Sequence, residues 1–130
     1  MPLAPDYNDA VRGRFGDPAH AGGLPEAAAT YDHVLEAEQA SGDSFAHLVL
    51  TAGVRGDTIA ALRFRARGCP HLVAAADLAC EKLEGNPVGA LENFPRDDIT
   101  VTLAVPVEKT GRVLLLEDAV ASLWAQWTAK

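Results

Sequence analysis

Cys69 stands immediately before Pro70, and proline favours the first position of a helix, where its missing N–H is not needed. The thiol is therefore predicted at the helix N-cap, where unpaired amides and the helix dipole favour a thiolate. Such a group is a nucleophile or a soft metal ligand; the structural alternative is a small thiol filling a strand-to-helix corner. Cys80 falls within the apolar stripe of the same helix. Eleven residues of helix separate the two by roughly 16 Å, too far for a disulfide or a shared metal. Of the four histidines at 20, 33, 47 and 71, only His71 lies near a cysteine, two residues beyond Cys69. It is an auxiliary ligand candidate; His20, His33 and His47 read as surface or satisfied core residues. Ser41-Gly42-Asp43 lacks the flanking glycines of a nucleophile elbow, and no glycine-rich segment carries the lysine and helix register of a phosphate loop. The chemistry rests on one thiol without a complete catalytic set.

The elements that must position this thiol follow from periodicity. Tyr7, Val11 and Phe15 recur every four residues and predict a short helix from Asp6 to Phe15, ended by Gly16-Asp17-Pro18. Strand patterns run from His33 to Arg67: an alternating stretch around Leu35 and Ala37, an apolar run from Ser44 to Thr51, and Ile59 to Arg67. A five-residue turn at 53–57 makes the last two antiparallel, with Arg63, Arg65 and Arg67 facing water. If Phe45, His47 and Val49 face the helices, Ala46, Leu48 and Leu50 form an open apolar face that invites a partner or a homodimer. After Gly68 the period changes. Val73, Ala76, Cys80 and Leu83 mark an amphipathic helix ending at Gly85. A second short helix is expected over 86–94, and 96–105 fits helix or strand. Val113, Leu116, Val120, Leu123 and Trp127 define a long helix from about Glu108 to the end. Strands followed by helices give an α+β fold, a three-stranded antiparallel sheet with helices packed on one face.

Composition narrows the partners. The chain has 130 residues, 48% of them apolar and 22% charged, which suits one globular domain over 1–130. Eleven basic against 18 acidic residues give a net charge of −7. Such a surface repels phosphate backbones and anionic membranes, so no nucleic acid and no membrane partner is expected. No apolar run approaches a membrane span, and the start lacks the pattern of a signal peptide. With only two cysteines, a cytoplasmic protein is expected.

Five fragments in order resemble the IscU/NifU family of iron–sulfur cluster assembly scaffolds, over nearly the whole chain. Tyr7 with Arg14-Phe15-Gly16-Asp17-Pro18-Ala19-His20-Ala21-Gly22 is similar to that family's N-terminal tyrosine and its aromatic-x-Asn-Pro-x-Asn-x-Gly segment. Ala40-Ser41-Gly42-Asp43 stands where the family has Ala-Cys-Gly-Asp, and Phe64 to Cys69 resembles its Phe-x-x-x-Gly-Cys strand end. Val105 to Lys109 occupies the place of Leu-Pro-Pro-Val-Lys, and Leu116 to Val120 resembles the Leu-x-Glu-Asp-Ala after the last cysteine. The resemblance implies the IscU/SufE-like fold and a metal site of three cysteines and an aspartate.

Of that ligand set this chain keeps Asp43 and Cys69. Ser41 replaces the first cysteine, Arg112 the last, and Gly111 the histidine before it. Serine is a poor soft ligand and arginine stays protonated. The resemblance thus implies a protein of iron–sulfur cluster assembly with weak or lost cluster binding. No cofactor is expected to be stably bound, and iron, zinc or [2Fe–2S] would sit at low occupancy. Proteins of the pathway are the implied partners, a cysteine desulfurase among them; Val107 and Glu108 weaken the chaperone-recognition stretch. The alternatives are a binding or regulatory module that kept only the fold, and a sulfur carrier using Cys69, the one enzymatic option. In the family fold Arg112 is expected opposite Asp43, where its guanidinium would replace the lost cation.

Overall fold

The computed structural model describes residues 7–25, 30–42 and 45–129. A helix α1 (Asp9–Gly16) leads to strands β1 (His33–Ala40), β2 (His47–Arg55) and β3 (Thr58–Arg67). Helix α2 (Pro70–Leu83) follows, then a 3-10 turn (Val88–Glu92), α3 (Arg96–Thr102), a second 3-10 turn (Val107–Lys109) and α4 (Thr110–Thr128). The strands form one antiparallel sheet in the order β1-β2-β3. Helices α2 and α4 pack on one face of it and on each other. The α+β expectation stands.

Local chemistry explains the boundaries. Asn8 caps α1 by accepting the Val11 N–H, 2.9 Å away. The β2–β3 turn is a two-residue Gly56-Asp57 turn rather than the five-residue loop expected, because β2 stays paired through Arg55. Gly56 supplies the positive φ of +63° that such a turn requires. Gly53 also matters: a Cβ there would lie 2.7 Å from the Tyr31 ring, which packs flat against the strand. Helix α2 ends at Leu83, and Gly85 follows at φ +87°. The stretch at 96–105 resolves as helix over α3, that at 86–94 holds only a 3-10 turn, and the last helix begins at Thr110.

Two expectations about faces are overturned. Ala46, Leu48 and Leu50 are buried beneath the helices at 1% exposure or less, while Phe45 is 59% exposed. The open sheet face therefore carries His47, Val49 and Thr51, flanked by Glu36 and Glu38 on β1, and the apolar-face argument for a homodimer falls away. Phe15, expected on the inner face of α1 with Val11, is 38% exposed; Val11 is fully buried. Arg65 and Arg67 face water as expected, but Arg63 is half-buried and bonded to Glu84. No helix of the described residues is long and apolar enough to cross a membrane.

Candidate functional site

Cys69 is the N-cap residue of α2, extended at φ −68° and ψ 138°, and its side chain makes no bond to the helix amides. Gly68 just before it has a φ of +122°, which L side chains rarely adopt. A Cβ on Gly68 would come within 3.1 Å of Ala46 Cα and 3.3 Å of the Phe45 carbonyl. This close approach holds the end of β3 against the start of β2. The Ser41 loop is tied to the same place: Ser41 N–H donates to the Ala46 carbonyl, and Ser41 Oγ accepts the Ala46 N–H, both at 3.0 Å. Arg112 reaches this end from α4, its guanidinium carbon 5.7 Å above the Phe45 ring. Its Nε is buried without a hydrogen-bond partner among the described residues. Gly111, beside it, is exposed.

The structure thus brings Ser41, Cys69 and Arg112 to one end of the sheet. Asp43 lies outside the described residues, and with it the expected pair with Arg112. Serine's hydroxyl is engaged with the backbone, the role of a turn residue rather than a ligand. The residue that does meet Cys69 is His71, whose Nδ1 lies 3.6 Å from Sγ. Both are buried, at 4% and 2% exposure, and the Tyr7 ring lies 4.8 Å from the imidazole. Zinc bonds of about 2.3 Å to sulfur and 2.0–2.1 Å to nitrogen, at a tetrahedral angle, set the two ligand atoms roughly 3.6 Å apart. The Cys69–His71 spacing therefore matches the bite of one soft metal ion. Among the described residues no group of three histidine, cysteine or acidic side chains could hold a metal.

Cys80 sits at 0% exposure in the core, and burial, with Asp77 nearby, pushes its thiol well up from the ordinary value. That thiol is inert, as its place in the apolar stripe predicts.

A second polar cluster was not legible as such. Asp77, inside α2, is 2% exposed. Its Oδ2 accepts from Arg14 at 2.8 Å and its Oδ1 from the His20 backbone N–H at 2.9 Å. His20 Nδ1 lies 3.4 Å from that Oδ1, and its Nε2 3.6 Å from Glu84 Oε2. Glu84 in turn accepts from the Leu62 N–H at 2.9 Å and from Arg63. Burial works against the Glu84 charge, but these bonds and His20 outweigh it and hold its carboxyl below the usual range. The signal available in the sequence was a single aspartate inside the run from Leu72 to Cys80. The remaining histidines serve structure: His47 pairs with Glu38, and His33 meets the Trp127 ring edge-on at 5.2 Å.

Comparison with known proteins agrees with this layout. The iron–sulfur cluster assembly protein IscU of Plasmodium falciparum (isolate 3D7) is 26% identical over 118 residues, covering 91% of this chain and 71% of that protein. Iron sulfur cluster assembly protein 1 of Trachipleistophora hominis is 26% identical over 125 residues, covering 96% of this chain and 88% of that one. The crystal structure of a nitrogen-fixing NifU-like protein (N-terminal) from Brucella abortus superposes with a TM-score of 0.68 at 17% identity, covering 95% of this chain and 94% of that chain, which shows a shared fold. The model of the NifU-like N terminal domain matches residues 6–130, and the chain belongs to that family, the IscU/NifU-type scaffolds.

Proposed function

We propose that this protein acts in iron–sulfur cluster assembly as a scaffold relative that holds a metal ion weakly at Cys69 and does not retain a stable cluster by itself. The observation that carries this reading is the Cys69–His71 pair at 3.6 Å, the bite of one soft cation. Asp43 is the third donor in this reading. The losses at the other family positions support it: Ser41 is committed to the Ala46 amide, and Arg112 cannot ligate. A cluster asks for four thiolates or near equivalents. The partners are proteins of the assembly pathway, a cysteine desulfurase first. Two free cysteines suit a reducing compartment, so the reading assigns the cytoplasm. On this reading the protein is a carrier and not an enzyme.

Anaerobic reconstitution with iron and sulfide tests it. The wild type is expected to stay colourless after desalting while retaining at most one metal ion. The variant Ser41→Cys with Arg112→Cys, which restores both lost thiols, is expected to turn brown. A wild-type protein that holds a brown cluster contradicts the reading.

The imidazole beside the thiol also favours a sulfur-carrier reading. There a Cys69 thiolate attacks the outer sulfur of a desulfurase persulfide, a new S–S bond forms, and the donor leaves as its own thiolate. The proton balance is local and no net oxidation occurs. A +32 Da adduct (one sulfur atom) on Cys69 after incubation with a desulfurase supports this; an adduct surviving Cys69→Ser contradicts it.

A further inference from the structure

A buried thiol that is to be loaded must first be reached. Cys69 and His71 are 4% and 2% exposed, and the ring of Tyr7, at the start of the described chain, lies over His71. Tyr7 leads into α1, which packs along α2. Past α1 the chain runs as a strap beside the outer edge of β3, paired to that strand at one isolated bridge. The Phe64 N–H donates to the His20 carbonyl at 3.0 Å, and the Gly22 N–H to the Phe64 carbonyl at 2.8 Å. The apolar attachment of this segment rests on Val11, the buried residue of α1, with Tyr7 and Ala10 packed partly buried against the core.

Asn8 Nδ2 also donates to the Thr102 carbonyl at 3.1 Å, but the group that binds both halves of the segment at once is one carboxylate. Asp77 takes Arg14 from α1 on one oxygen and the His20 amide from the strap on the other. Arg14 is shared with Glu81 at 3.2 Å, and His20 also faces Glu84, itself bonded to Arg63. A buried ion pair differs little in free energy from its two charges solvated apart, because desolvation cancels most of the attraction. When the segment leaves, Asp77 and Arg14 both regain water. The segment therefore opens at a lower cost than the apolar core, while each charged partner still holds the other as long as it is docked. Local opening of this kind is a general property of weakly packed segments.

We propose that α1 and its strap form a latch, closed by Asp77, that gates access to Cys69 and His71. Release uncovers the first turn of α2 and the β3 edge while the core of α2 and α4 stays packed. The proposal deepens the reading of Cys69 as the working group and rests on it for its purpose, though its mechanics need no metal.

Cys80 supplies an internal comparison, since it lies at 0% exposure in the core of the same helix. The experiment measures alkylation of each cysteine by iodoacetamide, followed by peptide mass spectrometry, in metal-free wild type and Asp77→Asn. Asparagine keeps an acceptor for the His20 amide and removes the charge that holds Arg14. Cys69 is expected to react about tenfold faster in the variant, while Cys80, at 0% exposure, gains far less even though the nearby Asp77 charge is removed. If both cysteines speed up together, the opening is global and the latch is wrong. If neither changes in a folded Asp77→Asn, Asp77 does not close the segment. Should Asp77→Asn fail to fold, Arg14→Gln is judged by the same two outcomes. Amide exchange in the wild type gives a second reading: Val11, Gly22 and Phe64 are expected to exchange earlier than the middle of α4, and equal rates overturn the proposal. Loss of metal binding with these results intact would strike the reading of Cys69 and leave the latch standing.

Discussion

At its first turn α2 holds Cys69 with no bond from the thiol to the helix amides and His71 as the polar neighbour it meets. Two turns on, the same helix buries Asp77 in a set of charged bonds, and Cys80 follows in a dry core. Both thiols are buried, yet their surroundings differ in kind. Cys80 is wholly enclosed in the core cluster, so the thiol serves as a small hydrophobe. Beside Cys69 stand the start of the helix and the His71 imidazole, 3.6 Å from the sulfur. Burial alone does not separate the two thiols; the polar groups within reach of each do.

Stability measurements sharpen this contrast. The largest effect is expected at Asp77→Ala, which strands Arg14 and the His20 amide. Urea unfolding should show a loss of about 3 kcal/mol, the scale for removing one partner of a buried ion pair. Cys80→Ser comes next, because a hydroxyl placed in an apolar core without a partner costs about 2 kcal/mol. The same substitution at the other end should reverse sign: serine is a good N-cap, so Cys69→Ser is expected to leave stability unchanged or raise it by up to about 1 kcal/mol. Equal losses at the two cysteines would break the comparison. The smallest effect is in acid. The Glu84 carboxyl sits below its ordinary value of 4.5, so its contribution is complete above that pH and is lost as pH falls through the depressed value. Melting of Glu84→Gln should therefore converge with wild type in strong acid, from a difference under about 1 kcal/mol near neutrality.

The thiol end was the more legible of the two. Gly68-Cys69-Pro70 announces a strand end, a cap and a helix start in three residues, and the stepping of Val113, Leu116, Val120 and Leu123 fixes the last helix to within two residues of its start. The facing of β2 was legible and was misread: Ala46, Leu48, Leu50, Ala52 and Val54 are apolar on one parity, whereas the other carries His47, Val49, Thr51 and Gly53. Phe15 was misassigned for a different reason. In an eight-residue helix the period is set by few residues, and Arg14 rather than Phe15 is the side chain drawn inward, toward Asp77. The ion cluster joins residues 14, 20, 77 and 84, whose partnership exists only once the strap lies on β3. The ligand positions were read through the family resemblance, and only His71, two residues from Cys69, was open to spacing.

Anaerobic titration with cobalt(II), followed by its sulfur-to-metal charge-transfer absorption, tests the central claim most directly. The account predicts one weakly bound ion per chain, with the sulfur signal lost in Cys69→Ser, weakened in His71→Ala and unchanged in Cys80→Ser. Absorption that persists in Cys69→Ser, or that disappears in Cys80→Ser while the protein remains folded, would contradict it.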